Sequence, residues 1–152
     1  MKIHSDLKQL CTNVLLIRVE EQISVLKRQV EDMKESLVDD TKSSAGDKYE
    51  TSRERISRDL NRLELQLSQH NKNLLFLNKL NGELKESVDL GAMVQTNQGI
   101  YFFSLALGKV EMESVIFYAL SIQSPIGRAL RGAKRGDSIL FQGRKIEIKD
   151  VC

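Results

Sequence analysis

The chain has no tryptophan, one proline, two cysteines and only 5% aromatic residues. Cys11 and Cys152 lie near opposite ends without CxxC spacing, which gives no support for a zinc site or a disulfide framework. The longest apolar run near the N-terminus, residues 14–17, is too short for a transmembrane span or a signal sequence. We therefore expect a cytoplasmic protein that does not enter a membrane. The single proline, Pro125, leaves the first half free to form long helices.

Two stretches of the first half repeat apolar residues with alternating steps of four and three, which is the pattern of a coiled-coil seam. They are Val19, Ile23, Leu26, Val30, Met33 and Leu37, and then Ile56, Leu60, Leu63, Leu67, His70, Leu74 and Leu77. Between them, residues 39–47 form a short polar break, and so short a connection makes the two helices antiparallel neighbours. Ser5 or Asp6 is expected to cap the first helix, and Asp47 the second. The pattern predicts an antiparallel coiled-coil hairpin with its tip at about residues 39–47.

Formal charge is uneven along the chain, although the total is only +2. Residues 31–54 hold eight acids and four bases, whereas residues 123–152 hold seven bases and three acids. An acidic tip and a basic C-terminal end argue against a uniform nucleic-acid-binding surface. The candidate contact residues at the tip are four acids: Asp39, Asp40, Asp47 and Glu50. Their simplest interpretation is a set of solvated loop acids, of which Asp47 caps a helix.

After Val88 the pattern changes to short β-type runs separated by turns that contain glycine. The runs are residues 92–96, 100–107, 114–122, 138–141 and 145–151. The pattern predicts an α+β fold. A helical hairpin is expected over residues 1–82, followed by a small, mostly antiparallel β domain with one short helix over residues 83–152.

The short helix of the second half is expected over residues 126–131. Ser124 is a good N-cap, and Pro125 suits the first helical position. Arg128 and Arg131 follow, and they are either a docking patch or an ordinary charged surface. Three glycines of this region are expected to be turn residues: Gly127, Gly132 and Gly136.

Residues 121–137, with the sequence SIQSPIGRALRGAKRGD, resemble the signature of the Gre transcription elongation factors. In that family a strand leads into Ser-Pro-Ile or Ser-Pro-Leu, then into a one-turn helix with Arg-Ala-Leu, a turn, and Gly-Asp before the last hairpin. The order of an antiparallel coiled coil and an FKBP-like C-terminal domain also matches. The resemblance therefore covers nearly the whole chain.

The resemblance implies a transcription factor that binds bacterial RNA polymerase. In the family, the C-terminal domain docks at the rim of the secondary channel and the coiled coil enters the channel. Acids at the tip there help to hold a second Mg²⁺ at the polymerase active site, and carboxylates suit this role because Mg²⁺ prefers hard oxygen ligands. The partner-binding residues implied in the C-terminal domain are Ser124, Pro125, Ile126, Arg128 and Arg131.

The tip departs from the cleavage-active members of the family, which resemble Asp-Leu-x-Glu-Asn-Ala-Glu-Tyr. With the pattern anchored on Tyr49, its Asp falls on Lys42 and its Glu on Ala45, so these two catalytic roles do not carry over. The resemblance therefore implies a regulator rather than an enzyme, and stimulation of transcript cleavage is disfavoured. It implies no cofactor beyond indirect contact with the polymerase Mg²⁺, nucleic acid only through the polymerase complex, and no small-molecule substrate.

Two alternatives remain open from the residues alone. A coiled-coil adaptor without a polymerase role would carry apolar residues on the outer faces of the hairpin, where Glu20, Lys27 and Arg58 are examples of the charged residues expected to dominate. An FKBP-like prolyl isomerase would need an aromatic pocket, but a fold does not carry its function with it. The aromatic residues expected to form the sheet core or its cover are Tyr101, Phe102, Phe103, Phe117 and Tyr118.

Overall fold

The computed structural model describes the backbone of residues 3–41, 46–80 and 82–152, and the side chains of residues 3–39, 51–80 and 82–152. The chain divides into two compact units. We call Val14–Asn78 the hairpin unit, and Met1–Asn13 together with Lys79–Cys152 the β unit. The first turns of the N-terminal helix thus group with the C-terminal half, whereas the boundary drawn from the sequence lies between residues 82 and 83.

Two long helices begin the chain, α1 over Ser5–Thr41 and α2 over Gly46–Lys79. Their 37 and 34 residues correspond to rods of about 50 Å at ~1.5 Å per residue. Arg18 lines one groove together with His70, and the Lys34 ammonium lies 3.8 Å from the Glu64 carboxylate. Among these neighbouring pairs, the residue numbers on α2 decrease as those on α1 increase, which confirms the predicted antiparallel hairpin. Within the described residues, no helix is long and apolar enough to span a bilayer.

The seam of the hairpin unit is the predicted one. Its buried cluster, with the half-buried residues packed against it, comprises Leu26, Val30, Leu63, Met33, Leu60 and Leu67. The alternating spacing keeps these side chains on the facing sides of the two helices. Fully burying a residue such as Leu or Val contributes about 1.5–3 kcal/mol, so the seam stabilises the pairing of the two helices.

His70 is the polar position of this seam, and its Nδ1 atom is buried without a hydrogen-bond partner among the described residues. An unsatisfied buried polar atom costs about 1–3 kcal/mol. We expect His70→Leu to raise the free energy of unfolding by about 1 kcal/mol or more, measured by urea denaturation followed by circular dichroism. Ser68→Leu, at an exposed position of the same helix, is the control and should change little. A loss of stability in His70→Leu would mean that the imidazole sets the register of the seam.

The cap of α1 is His4 rather than the predicted Ser5 or Asp6. The Leu7 N–H donates to His4 Nδ1 at 3.2 Å, and the Lys8 N–H donates to the His4 carbonyl at 3.0 Å. The prediction was wrong because it considered only hydroxyl and carboxylate caps, whereas an imidazole nitrogen also accepts an amide hydrogen.

Six strands and one short helix complete the chain. They are β1 Met93–Thr96, β2 Gly99–Phe103, β3 Gly108–Glu111, β4 Ile116–Leu120, α3 Pro125–Leu130, β5 Ser138–Phe141 and β6 Arg144–Val151. The strands form one sheet in the order β3-β4-β2-β1-β6-β5. Neighbours are antiparallel except for β2 and β4, which are parallel. The predicted α+β fold, with a mostly antiparallel sheet and one short helix, is confirmed.

Strand β3 is the element that the sequence did not predict, because a turn was expected at Gly108. Val110 is its only apolar residue, and it is fully buried opposite Phe117. Lys109 and Glu111 are exposed, and their charged groups pair at 2.7 Å. One apolar residue cannot display a period of two, so the strand is recognisable only once β4 lies beside it.

The sheet buries apolar side chains on both faces, because neighbouring residues of a strand point in opposite directions. One face belongs to a core cluster that includes Val94, Tyr101, Phe103, Leu130, Ile146 and Ile148. The other face carries the fully buried Met93, Phe102, Val110 and Phe117. The aromatic residues predicted for the core are therefore buried, apart from the half-buried Tyr118.

The first turns of α1 pack within the β unit. Cys11 is fully buried, and its Sγ lies 4.0 Å from the Sδ of Met112, just after β3. The Lys8 ammonium donates a hydrogen bond to the Glu83 carbonyl at 2.7 Å. These contacts explain why residues of the N-terminus belong to the same compact unit as the sheet.

The buried thiol makes stability depend on alkaline pH. Burial, assisted by the nearby Cys152, raises the pKa of the Cys11 thiol to about 11. The unfolded thiol ionises near pH ~8.5. The stability that comes from keeping the buried thiol neutral is therefore complete below that pH and is lost as the pH rises towards 11. We expect the free energy of unfolding to fall by about 2–3 kcal/mol between pH ~8.5 and 11 because of this thiol, measured by urea denaturation at several pH values.

Cys11→Ala isolates this effect. Burial lowers the pKa of Lys8, so its contribution to stability grows with pH and opposes that of the thiol. Lys8 is present in both proteins, and therefore the difference between the two stability curves reports the thiol alone. A difference that stays constant between pH ~8 and ~11 would contradict the assignment.

Candidate partner-binding site

Ser124 fixes the start of α3. Its backbone is extended, with φ −62° and ψ 158°, and its Oγ accepts the Gly127 N–H at 3.2 Å. The same hydroxyl donates to the Ser121 carbonyl at 2.6 Å. Pro125 follows at the first helical position, where no amide hydrogen is needed. The predicted cap and first-turn roles are confirmed, and they present this segment in one conformation.

Gly127 lies inside α3 and is not the turn residue that the sequence indicated. It is buried and has no positive φ. A Cβ atom at this position would lie 2.7 Å from the Ser121 carbonyl oxygen and would overlap the Ile122 carbonyl more severely. The glycine is therefore required by the close approach of the helix to the segment that precedes it.

The end of α3 is tied to the segment before β1. Gly132 has a φ of +84°, which suits a glycine, and its N–H donates to the Val88 carbonyl at 2.7 Å. The Val88 N–H in turn donates to the Ala133 carbonyl at 2.8 Å. A short helix that is marginal by itself is thus held at both ends by hydrogen bonds to other parts of the β unit.

The Gly-Asp pair at the end of the motif organises the turn before β5. The Lys134 N–H donates to Asp137 Oδ2 at 2.8 Å, and the Asp137 N–H returns a bond to the Lys134 carbonyl at 3.0 Å. The Asp137 carbonyl accepts the Ile148 N–H at 2.8 Å. The Asp137 carboxylate therefore fixes the turn before β5, and because it is exposed it also places a negative charge beside Lys134.

The residues predicted to bind a partner form one surface, which we call the α3 surface: Ser124, Pro125, Ile126, Arg128 and Arg131. Pro125, Arg128 and Arg131 are exposed, whereas Ile126 is half-buried and packs against the core. Arg131 Nη2 lies 3.2 Å from Asp89 Oδ1. Such an exposed pair is worth about 0–1 kcal/mol, so it orients the guanidinium without holding it away from a partner.

Arg128 has no ion pair within the part of the chain that the structure describes. Lys134 and Arg135 are exposed shortly after the helix. The α3 surface therefore offers positive charge and a small apolar contact, which together suit an acidic protein face. The sequence did not identify Asp89 as a partner of Arg131, because the two lie about 40 residues apart and nothing in the pattern links them.

Fewer residues separate α1 from α2 than the sequence predicted for the tip. The backbone of α1 extends to Thr41, and that of α2 begins at Gly46. Asp39 is exposed on α1. The other three predicted contact residues, Asp40, Asp47 and Glu50, have side chains outside the described set. Within that set, no group of three or more His, Cys, Asp or Glu side chains is arranged to hold a metal ion.

No family model matches the chain, and no curated protein matches it. One similar solved structure is described as that of the transcription factor Gfh1, with 19% identity, a TM-score of 0.36, and coverage of 90% of this chain and 92% of that chain. Another is the GreA factor homolog 1 (Gfh1) protein of Thermus thermophilus, with 16% identity, a TM-score of 0.32, and coverage of 90% and 94%.

Proposed function

We propose that this chain is a transcription regulatory factor that binds bacterial RNA polymerase. The β unit would dock at the rim of the secondary channel, and the hairpin unit would insert towards the active site. The observation that carries the proposal is the folded form of residues 121–137. Its internal polar groups are used to fix the backbone, and Pro125, Arg128 and Arg131 are left exposed.

The form of the two helices supports the same function. An antiparallel pair of helices, each corresponding to about 50 Å and packed through a seam that includes Leu26, Val30 and Leu63, has the form that would carry its tip into a narrow channel. Asp39 lies near the end of α1, where it would enter first. Oxygen ligands at that end would approach the Mg²⁺ held by the polymerase.

We further propose that the chain is not itself an enzyme and needs no cofactor of its own. Lys42 and Ala45 stand where cleavage-active factors place their Asp and Glu, so regulation through occupancy of the channel is the proposed mode of action. In a stalled, backtracked complex we expect the RNA to stay uncut after addition of this protein. Cleavage that is lost in Asp39→Ala with Asp40→Ala would overturn this part.

Co-elution with core RNA polymerase tests the proposal as a whole. We expect the wild-type protein to co-elute at low salt and to dissociate as salt rises, because exposed arginines contribute to the contact and added salt screens them. Absence of a complex at low salt would refute the proposal.

An adaptor that binds another helix is the second candidate, and one observation favours it. The sequence led us to expect mainly charged outer faces on the hairpin, but Leu65 is 73% and Leu75 62% exposed, and Ile17 and Val25 are exposed on α1. Light scattering distinguishes the candidates. An adaptor that pairs with a second copy should give a dimer that Leu65→Glu dissociates, whereas a channel-binding factor should be monomeric with or without this substitution.

A further inference from the structure

A groove of about 370 Å³ lies in the β unit beside α3. Its lining includes four apolar or aromatic side chains, Tyr101, Ile126, Phe141 and Ile146. Gln98 and Arg144 add polar groups. The volume is near the lower end of the roughly 300–1,000 Å³ typical of ligand sites, so the groove suits one or two side chains of a peptide better than a large small molecule.

The walls of this groove are fixed by hydrogen bonds. Asn97, in the turn beside Gln98, donates from Nδ2 to the Lys145 carbonyl at 3.0 Å and accepts the Glu147 N–H through Oδ1 at 2.9 Å. This pair of bonds pins the β1–β2 turn to β6. Groups that are already ordered lose little entropy on binding, so the groove is preorganised to receive a ligand.

The aromatic part of the lining is also held in place. The ring of Tyr101 packs against Phe103 and Tyr118, with centroid distances of 6.3 and 6.1 Å. A phenol is neutral at pH 7, and burial raises the pKa of Tyr101 further, so this part of the lining carries no negative charge. Phe141 is half-buried and packs against the core, and its remaining surface is available to a ligand.

The charge of the groove is positive. Arg144 is exposed and has no ion pair among the described residues, and none of the described residues that line the groove is acidic. Ile126 belongs both to the groove and to the α3 surface, which also carries Arg128. A ligand with carboxylates beside an apolar anchor would therefore meet complementary charge and shape.

We propose that this groove binds a segment of a protein partner in which an aliphatic or aromatic side chain is flanked by carboxylates. The apolar side chain would lie against Tyr101, Ile126 and Phe141, and a flanking carboxylate would pair with Arg144. This inference deepens the proposed function and rests on it, because the segment would belong to the face of the polymerase that meets the α3 surface.

A peptide titration tests the chemistry of the groove directly. Three peptides of equal length are added to ¹⁵N-labelled protein: Glu-Asp-Glu-Leu-Phe-Asp-Glu-Glu, the same peptide with Gly-Ser in place of Leu-Phe, and the same peptide with Lys in place of each acid. We expect only the first to shift the amide resonances of Tyr101, Ile126 and Phe141 in a saturable way. No shift at these positions, or equal shifts with all three peptides, would overturn the inference.

Charge reversal then connects the groove to the polymerase. We expect Arg144→Glu to weaken binding of both the acidic peptide and core polymerase about tenfold or more. Lys149→Glu is the matched charge reversal at an exposed position of the same strand. It should weaken binding of the peptide and of core polymerase by less than about threefold. Phe141→Ala, checked for folding by its melting temperature, should also weaken binding of the acidic peptide. If Phe141→Ala does not fold, Arg144→Glu alone decides the test.

The outcomes separate the two proposals. If polymerase binds the wild type and Arg144→Glu equally well, the groove inference fails while the proposed function stands. If polymerase does not bind the wild type but the acidic peptide binds in the groove and depends on Arg144, the proposed function fails and the peptide chemistry of the groove is supported. If neither ligand binds, both proposals fail.

Discussion

Gly127→Ala is expected to lower the free energy of unfolding of the β unit by about 3–5 kcal/mol, a large part of the ~5–15 kcal/mol that holds a whole small protein together. The added Cβ would overlap the backbone carbonyls of Ser121 and Ile122. Backbone atoms cannot rotate away as the end of a side chain can. Relief therefore requires α3 to move away from residues 121 and 122, which breaks the hydrogen bond from the Ser124 hydroxyl to the Ser121 carbonyl.

Gly132→Ala is the matched control for this experiment. Gly132 has a φ of +84°, but a Cβ there would meet no atom of the described residues within 4 Å. It therefore isolates the cost of a left-handed backbone, about 1–2 kcal/mol for a residue with a Cβ. Urea denaturation followed by far-UV circular dichroism measures both variants. If Gly127→Ala loses no more stability than Gly132→Ala, the close approach at α3 is not a real constraint.

The second large effect is expected on binding. Arg128→Glu combined with Arg131→Glu should reduce the affinity for core RNA polymerase by about 30–150-fold, or roughly 2–3 kcal/mol. Both side chains are exposed on the α3 surface. Reversing them replaces attraction to an acidic face by repulsion. The fold should survive, because the Arg131–Asp89 pair is exposed and worth about 0–1 kcal/mol.

The control carries the same change of charge at other exposed sites. Lys109→Glu combined with Lys149→Glu alters the net charge equally, on strands β3 and β6. Binding of labelled protein to core polymerase is measured by fluorescence anisotropy at one fixed, low salt concentration. Equal weakening by both double variants would mean that net charge alone drives the contact and that the α3 surface has no special part in it.

The hairpin and the start of α3 could be predicted from the sequence because both rest on local signals. A seam such as Leu26, Val30 and Leu63 repeats with a period that only a helix satisfies. The Ser124-Pro125 pair specifies a helix start through the chemistry of one hydroxyl and one ring. In each case the information lies within a few residues of the element that it determines.

The features that sequence reasoning missed depend on neighbours that are distant in the chain or close only in space. Strand β3 forms because it pairs with β4, where Val110 lies opposite Phe117. The lining of the groove brings Tyr101, Ile126 and Phe141 together from three different elements. Gly127 resembled an ordinary turn residue, because the approach of a carbonyl to its Cα is a property of the folded backbone and leaves no mark in the residue pattern.

Photo-crosslinking from the end of α1 tests the central claim most directly. A photo-reactive residue replaces Asp39, which is exposed near the tip, and a second variant carries it in place of Arg128 on the α3 surface. Each protein is irradiated in complex with core RNA polymerase, and the crosslinked peptides are identified by mass spectrometry. We predict that position 39 reacts with the lining of the secondary channel near the active site, and that position 128 reacts with the channel rim. Crosslinks from position 39 confined to the outer surface of the polymerase would contradict the account.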